Sequence, residues 1–157
     1  GFFFQSFNQK MFDDFLGRKV FFVQENYSSS VRNVIRGLHY QVINPQEKLI
    51  QVIKGAIFDV AVDIRKESKT FGKYIGIELN EKNKRQLWIP KGFAHGFSVM
   101  SDYAEIQYKV TDYWAPEFEQ AIIWNDPDVG IKWPNCAKPI LSEKDRKAKP
   151  FKDAILS

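Results

Sequence analysis

Sulfur and imidazole are scarce in this chain, with one cysteine and two histidines among 157 residues. A lone Cys136 excludes an internal disulfide and a cage of several thiolates around a metal; it reads as a bystander rather than a nucleophile. No His-x-His pair occurs, and His39 and His95 lie far apart in the chain. Two histidines and an aspartate could form a facial triad for iron, but nothing in the spacing asks for one, so no metal is expected. The glycine-rich signatures G-x-G-x-x-G and G-x-x-x-x-G-K-[ST] are missing, as is G-x-S-x-G. A tightly held nicotinamide, an NTPase reaction and an elbow serine therefore have no support.

Long apolar runs are missing too. The stretch from Ala56 to Val62 is broken by charge well short of the about 18 residues a membrane span needs. The opening Gly1-Phe-Phe-Phe-Gln-Ser-Phe lacks the basic n-region of a signal peptide. These features lead us to expect a cytoplasmic protein with no membrane partner. The 23 lysines and arginines exceed the 19 acids by a net +4. They are scattered rather than gathered in a stripe, which favours a phosphate-bearing small ligand over a nucleic acid. The cluster Lys144 to Lys149 reads by default as a solvated tail.

What the chain has in quantity is apolar and aromatic surface, 44% and 15% of its residues, enough for one core. Short β-branched and aromatic segments follow one another between turn residues, so the fold class is all-β. Expected strands are 19–27, 34–41, 48–54, 56–65, 73–79, 86–89, 97–101, 104–110 and 122–124. Residues 8–16 are the helix candidate, because Met11, Phe12 and Phe15 recur at three- and four-residue spacing. Asn44-Pro45, Lys54-Gly55, Pro90-Lys-Gly92, Asp126-Pro127 and Trp133-Pro134 mark reversals. Nine short strands without a linker or repeat imply a sandwich, jelly roll or barrel, and one domain over 1–157.

Strand parity puts Phe58, Val60 and Val62 on one face of their segment and Asp59, Ala61 and Asp63 on the other. If the second face lines an interior, both carboxylates need charged or hydrogen-bonding partners. His39 sits in Arg36-Gly-Leu-His-Tyr-Gln41 and His95 in Ile89-Pro-Lys-Gly-Phe-Ala-His-Gly-Phe97. Either could be a satisfied core residue; with Arg36 and Lys48 nearby they could equally belong to a site for acid–base chemistry.

These runs, with Phe58-Asp-Val-Ala-Val-Asp-Ile-Arg65, Ser68-Lys-Thr-Phe-Gly72 and Trp124-Asn-Asp-Pro, resemble the dTDP-4-dehydrorhamnose 3,5-epimerase family from Gly1 to about Asp145. The resemblance implies a double-stranded β-helix, the cupin-like jelly roll, assembled as a homodimer and needing no cofactor. It implies conversion of dTDP-4-dehydro-6-deoxy-D-glucose to dTDP-4-dehydro-L-rhamnose for surface polysaccharide. By position it makes His39 the general base, Tyr108 of Tyr108-Lys-Val-Thr-Asp-Tyr-Trp114 the general acid, and Asp145 the residue that orients the base. Arg36, Lys48 and His95 match substrate contacts, and Lys48 or Arg36 would polarise the keto oxygen. Gln24, Asn26, Glu119 and Lys144 match contacts to the nucleotide or its phosphates, which draws part of the basic tail into the site.

Tyr113 and Trp114 could stack on thymine or pack in the core or a dimer interface. Gln5 stands where the family usually has a glutamate that contacts the nucleotide. The family pattern also carries a strand and an Asp-Glu-Arg stretch before the position of Gly1, so the expected domain lacks that first strand. Relatives that epimerise only C3 or only C5 share the same motifs, and a sugar-nucleotide binding module without catalysis is the rival from another class.

The chemistry needs little. A 4-keto group acidifies the protons on its neighbouring carbons, a positive group can hold the enolate, and imidazole, which titrates near 6.5 when unperturbed, suits proton abstraction at neutral pH.

Overall fold

The computed structural model describes residues 1–134 and 137–156, so Cys136 lies outside the described residues. Among the described residues, nine strands form two antiparallel sheets. They are β1 (Gln24–Val31), β2 (Ile35–Gln41), β3 (Lys48–Lys54), β4 (Ala56–Asp63), β5 (Tyr74–Asn80), β6 (Gln86–Ile89), β7 (Phe93–Val99), β8 (Tyr103–Val110) and β9 (Glu119–Ala121). One sheet has the order β1-β8-β3-β6 and the other β5-β4-β7-β2-β9. Apart from β4 and β5, which pair within one sheet, successive strands cross between sheets, as in a jelly roll.

Between the sheets lies a core that includes Ile50, Val52, Ile57, Ile89, Val99 and Ile106. A second core covers the outer face of the five-stranded sheet, where Leu38, Tyr40, Val60 and Val62 pack with Ile122, Val129 and Trp133. Both faces of β4 are therefore buried. Asp126 of the Trp124-Asn-Asp-Pro run fastens this outer layer, accepting bonds from the backbone N–H groups of Asp128, Val129 and Phe151.

The helix α1 (Gln9–Leu16) follows a cap in which Asn8 Oδ1 accepts from the Met11 N–H at 3.0 Å, and it stops at Gly17 in the left-handed region. Of the three apolar residues that suggested it, only Phe12 turns inward, against Trp88 and Phe22; Met11 and Phe15 are exposed. A four-residue helix α2 (Glu143–Arg146), absent from the sequence reading, is capped by Ser142.

Three strands depart from expectation by more than two residues. The first strand starts at Gln24 rather than Lys19, the seventh at Phe93 rather than Phe97, and the last is Glu119–Ala121 rather than 122–124. Ile122 lies outside the strands, in an isolated bridge with Lys149 and two backbone bonds with Leu38. The first error has a clear cause. Residues Gln24, Asn26, Ser28 and Ser30 form the inward row of β1, and a strand whose inner face is polar lacks the alternation that marks strands packed on a core.

The register of β2 against β7 breaks between Arg36 and His39. In a regular strand these residues, three apart, would face opposite ways; the irregularity lets both open into the same interior. Gly37 occupies the break with φ 119°, and a Cβ there would lie 2.5 Å from Gly96 Cα and 2.6 Å from the His95 carbonyl oxygen. The glycine of Arg36-Gly-Leu-His is thus a steric requirement. Gly37→Ala is expected to destabilise the fold by about 2 kcal/mol, lowering the Tm in calorimetry by about 6 °C. A Tm within a degree of the parent would refute the packing argument.

Candidate active site

At one end of the barrel a cavity of about 450 Å³ opens between the two sheets. The four-stranded sheet contributes Gln24, Asn26 and Ser28 from β1, Lys48 from β3 and Tyr108 from β8; the five-stranded sheet contributes Arg36, His39, His95, Phe97 and Glu119. Lys144 from α2 and Trp114 stand at its rim. Asn26 is paired with Tyr108 across β1 and β8, and His39 with His95 across β2 and β7. A neighbouring recess of about 520 Å³ shares Gln46 and Lys48 with this cavity. Its Arg65 is already held by Asp63 and its Lys66 by the Leu156 carbonyl, and no imidazole lines it, so the first cavity is the candidate site for acid–base chemistry.

Most of the sequence-derived residues line this cavity, and three do not. Gln5 lies beside Phe7, Leu49 and Gln86 on the outside of the four-stranded sheet, because the segment before α1 runs over that face. Tyr113 is exposed outside the cavity lining. Its neighbour Trp114 is turned the other way by buried Gln41, which accepts from the Ala115 N–H and donates to the Tyr113 carbonyl. Asp145 is not in the lining either, but directly behind it.

His39 is gripped from behind. Its Nε2 is 2.5 Å from Asp145 Oδ1, and the Asp145 side chain is almost wholly buried while the imidazole remains partly open. Burial alone would raise the Asp145 carboxyl; bonds from His39, Ser142 and the Gly37 backbone hold it below its ordinary value. A carboxylate in that place fixes the imidazole's orientation, leaving Nδ1 as the nitrogen toward the cavity. Glu119 Oε1 is 3.9 Å from Nδ1.

Opposite, burial lifts the Tyr108 pKa above the usual tyrosine value against the pull of neighbouring Asn26, with a smaller push from Glu119. It remains a proton donor across the neutral range. The Lys48 ammonium has no hydrogen bond or ion pair among the described residues. Burial pushes its ammonium down to about 8, against the pull of Glu119 and Asp59. Arg36 is steadied by Ser30, which accepts from its Nε at 3.0 Å.

Strand parity had left two carboxylates in need of partners, and both have them. Asp63 accepts from Arg65, Ser68 and Thr70, with Arg65 foremost in holding it well below the carboxylate range. Asp59 is fully buried with Oδ1 2.6 Å from His95 Nε2. His95 is thereby held at the cavity wall, and burial lowers its pKa in spite of the aspartate. Ser28, Gln46 and Phe97 also line the cavity without having been picked out from the sequence. Ser28 continues the inward row of Gln24 and Asn26, and Phe97 follows His95 by two, so alternation could have found both. No cluster of three or more His, Cys, Asp or Glu side chains suited to a metal occurs among the described residues.

An oriented imidazole on one wall, a phenol on the other and an unpaired ammonium between the sheets can remove a proton from carbon, hold the resulting oxyanion and return a proton from the opposite side. Comparison with known proteins points the same way. A protein of Pseudomonas aeruginosa named dTDP-4-dehydrorhamnose 3,5-epimerase is 56% identical over 154 residues, covering 98% of this chain and 85% of that protein. The crystal structure of a dTDP-6-deoxy-D-glucose-3,5-epimerase from Legionella pneumophila, in complex with dTDP-4-keto-L-rhamnose, superposes with a TM-score of 0.96 at 50% identity, covering 99% of this chain and 82% of that one. ChmJ, a 3'-monoepimerase from Streptomyces bikiniensis solved with dTDP-quinovose, gives 0.89 at 31% identity, covering 94% and 75%. The profile of one family matches residues 1–153. The chain belongs to the dTDP-4-dehydrorhamnose 3,5-epimerase family.

Proposed function

We propose that this protein epimerises dTDP-4-dehydro-6-deoxy-D-glucose at C3 and C5 to dTDP-4-dehydro-L-rhamnose, an isomerisation in dTDP-L-rhamnose synthesis. The observation that carries the reading is the placement of His39, backed by Asp145, and Tyr108 on opposite sheets of one cavity that Lys48 also lines. His39 takes the proton next to the ketone, its imidazolium supported by the Asp145 carboxylate. The electron pair moves onto the keto oxygen, where Lys48 meets the negative charge; one such donor in a water-poor site is worth about 3 kcal/mol. Tyr108 then protonates the same carbon from the other face, and the centre is inverted. Electrons return to where they began, so no redox cofactor enters.

Gln24, Asn26, Trp114, Glu119 and Lys144 lie toward the rim, where a nucleotide and its phosphates would rest while the sugar reaches Lys48 and His95. The domain acts as a homodimer in the cytoplasm. Exposed Phe2, Phe3, Phe15 and Phe21 support the dimer, since apolar surface of that kind marks an interface. No helix among the described residues is long and apolar enough to cross a membrane.

The test is product identity. After incubation with dTDP-4-dehydro-6-deoxy-D-glucose, borohydride reduction and acid hydrolysis, the sugars should include L-rhamnose. A 3-epimer alone would mean a C3-specific enzyme like ChmJ, and unchanged substrate would leave only a binding module.

The rate should also fall on the alkaline side. Lys48 must be charged to hold the enolate, and its pKa is lowered to about 8, so kcat is expected to decline as pH rises through that value. Tyr108 does not set this limb, because its pKa is raised. A profile flat to pH 10 in stopped assays would remove Lys48 from the charge-stabilising role.

A further inference from the structure

His39 faces two carboxylates, and only one of them is free to act on it. Asp145 holds Nε2, while Glu119 lies 3.9 Å from Nδ1. The Glu119 carboxylate is itself occupied: its Oε2 accepts from the Lys144 ammonium and from the Trp114 indole N–H at 3.3 Å. Lys144 is half exposed at the rim, whereas Glu119 is largely covered. Seated on Glu119, the lysine opposes the field of that carboxylate. The other charged or titratable groups around the imidazole are His95 across β7, and Arg36, Lys48 and Tyr108 in the same cavity; none of them neutralises Glu119 by direct contact among the described residues.

We propose that Lys144 is a removable counter-ion for Glu119: a diphosphate seated at the rim draws Lys144 away, and the uncovered Glu119 carboxylate then stabilises protonated His39. The inference rests on the nucleotide-sugar reading above and adds to it. Of the cationic groups lining the cavity, Lys144 stands at the rim with half of its side chain in solvent, so an entering phosphate meets it early. The phosphate offers it a stronger partner than a single carboxylate, since two negative charges compete against one. Trp114 keeps Glu119 in place after the lysine leaves. The effect is a base that gains strength only when a substrate with its diphosphate is in position, as proton removal from carbon requires. Glu119 is a positioning residue in this scheme, acting through His39, and Lys144 couples it to ligand.

The chain has only two histidines, so their imidazole resonances can be followed by NMR against pH and assigned with His39→Asn. The titration of His39 is measured in the parent, in Lys144→Met and in Glu119→Gln, each with and without dTDP, and the Trp114 indole resonance reports occupancy independently. Addition of dTDP to the parent should move the His39 midpoint upward by about one pH unit, the size expected for an uncompensated charge at this range. Lys144→Met should show that rise without ligand. Glu119→Gln should bind dTDP yet lose most of the rise. A Lys144→Met midpoint equal to the parent's overturns the inference, and so does a Glu119→Gln protein that keeps the full rise, which would assign it to the phosphate's own field. Movement of the Trp114 resonance with an unmoved His39 in the parent sinks the coupling alone. If dTDP changes no resonance at all, the nucleotide reading fails and the release step with it.

Discussion

His39→Asn is expected to lower kcat about a thousandfold while leaving KM within a few-fold of the parent. Asparagine can still bond Asp145, so the buried carboxylate keeps a partner and the wall of the cavity keeps its shape. What disappears is the group proposed to accept the proton, and general base catalysis is worth about 10² to 10⁴ in rate. Both carbons should suffer together. One imidazole lies at this wall with a carboxylate behind it, and the other histidine is committed to Asp59 with its pKa lowered by burial. The measurement is solvent-deuterium exchange at C3 and at C5 followed separately. Loss at one carbon with full retention at the other would mean that two bases divide the work.

Tyr108→Phe should separate two events that the parent enzyme joins. Phenylalanine fills the space of the packed ring, so the cavity survives, but the hydroxyl proposed to return the proton is gone. Proton removal by His39 continues, the enolate forms on Lys48, and in most cycles the proton comes back from the histidine side with the original configuration. Net inversion is expected to fall by about 10² to 10³ while exchange of the ring protons with solvent falls far less. The ratio of exchange to epimerisation is therefore the readout. If both rates fall in parallel, Tyr108 serves the cavity's structure or substrate binding and the acid lies elsewhere.

How far the sequence could be read follows from the range of each interaction. Strands β3 and β6 came out of the sequence with their observed ends, since Lys48–Lys54 and Gln86–Ile89 carry β-branched and aromatic residues between clear turns. The strand β1 was misplaced because its inward row is polar, and it is polar because it lines the cavity rather than the core. In this fold the site itself hides a strand from a pattern that assumes apolar interiors. The two β4 carboxylates show the same division. Asp63 finds Arg65, Ser68 and Thr70 within seven positions, a pairing a local reading can anticipate; Asp59 finds His95 from another strand, which only the fold brings near.

The constellation of His39, Asp145, Tyr108 and Lys48 came from resemblance and not from spacing, because its members lie on β2, α2, β8 and β3. What resemblance could not convey is why Arg36 and His39 share a cavity at three-residue spacing. The break at Gly37 supplies that. It also could not place Gln5, which lies on the outer face of the sheet, or separate Tyr113 from Trp114, which Gln41 turns in different directions.

The most direct test of the central claim is to incubate the protein with dTDP-4-dehydro-6-deoxy-D-glucose in deuterated water and follow C3 and C5 by NMR. Proton transfer between His39 and Tyr108 beside a ketone predicts deuterium at both carbons, inversion at both, and loss of both in His39→Asn. Tight binding of the sugar nucleotide with no deuterium at either carbon would contradict it.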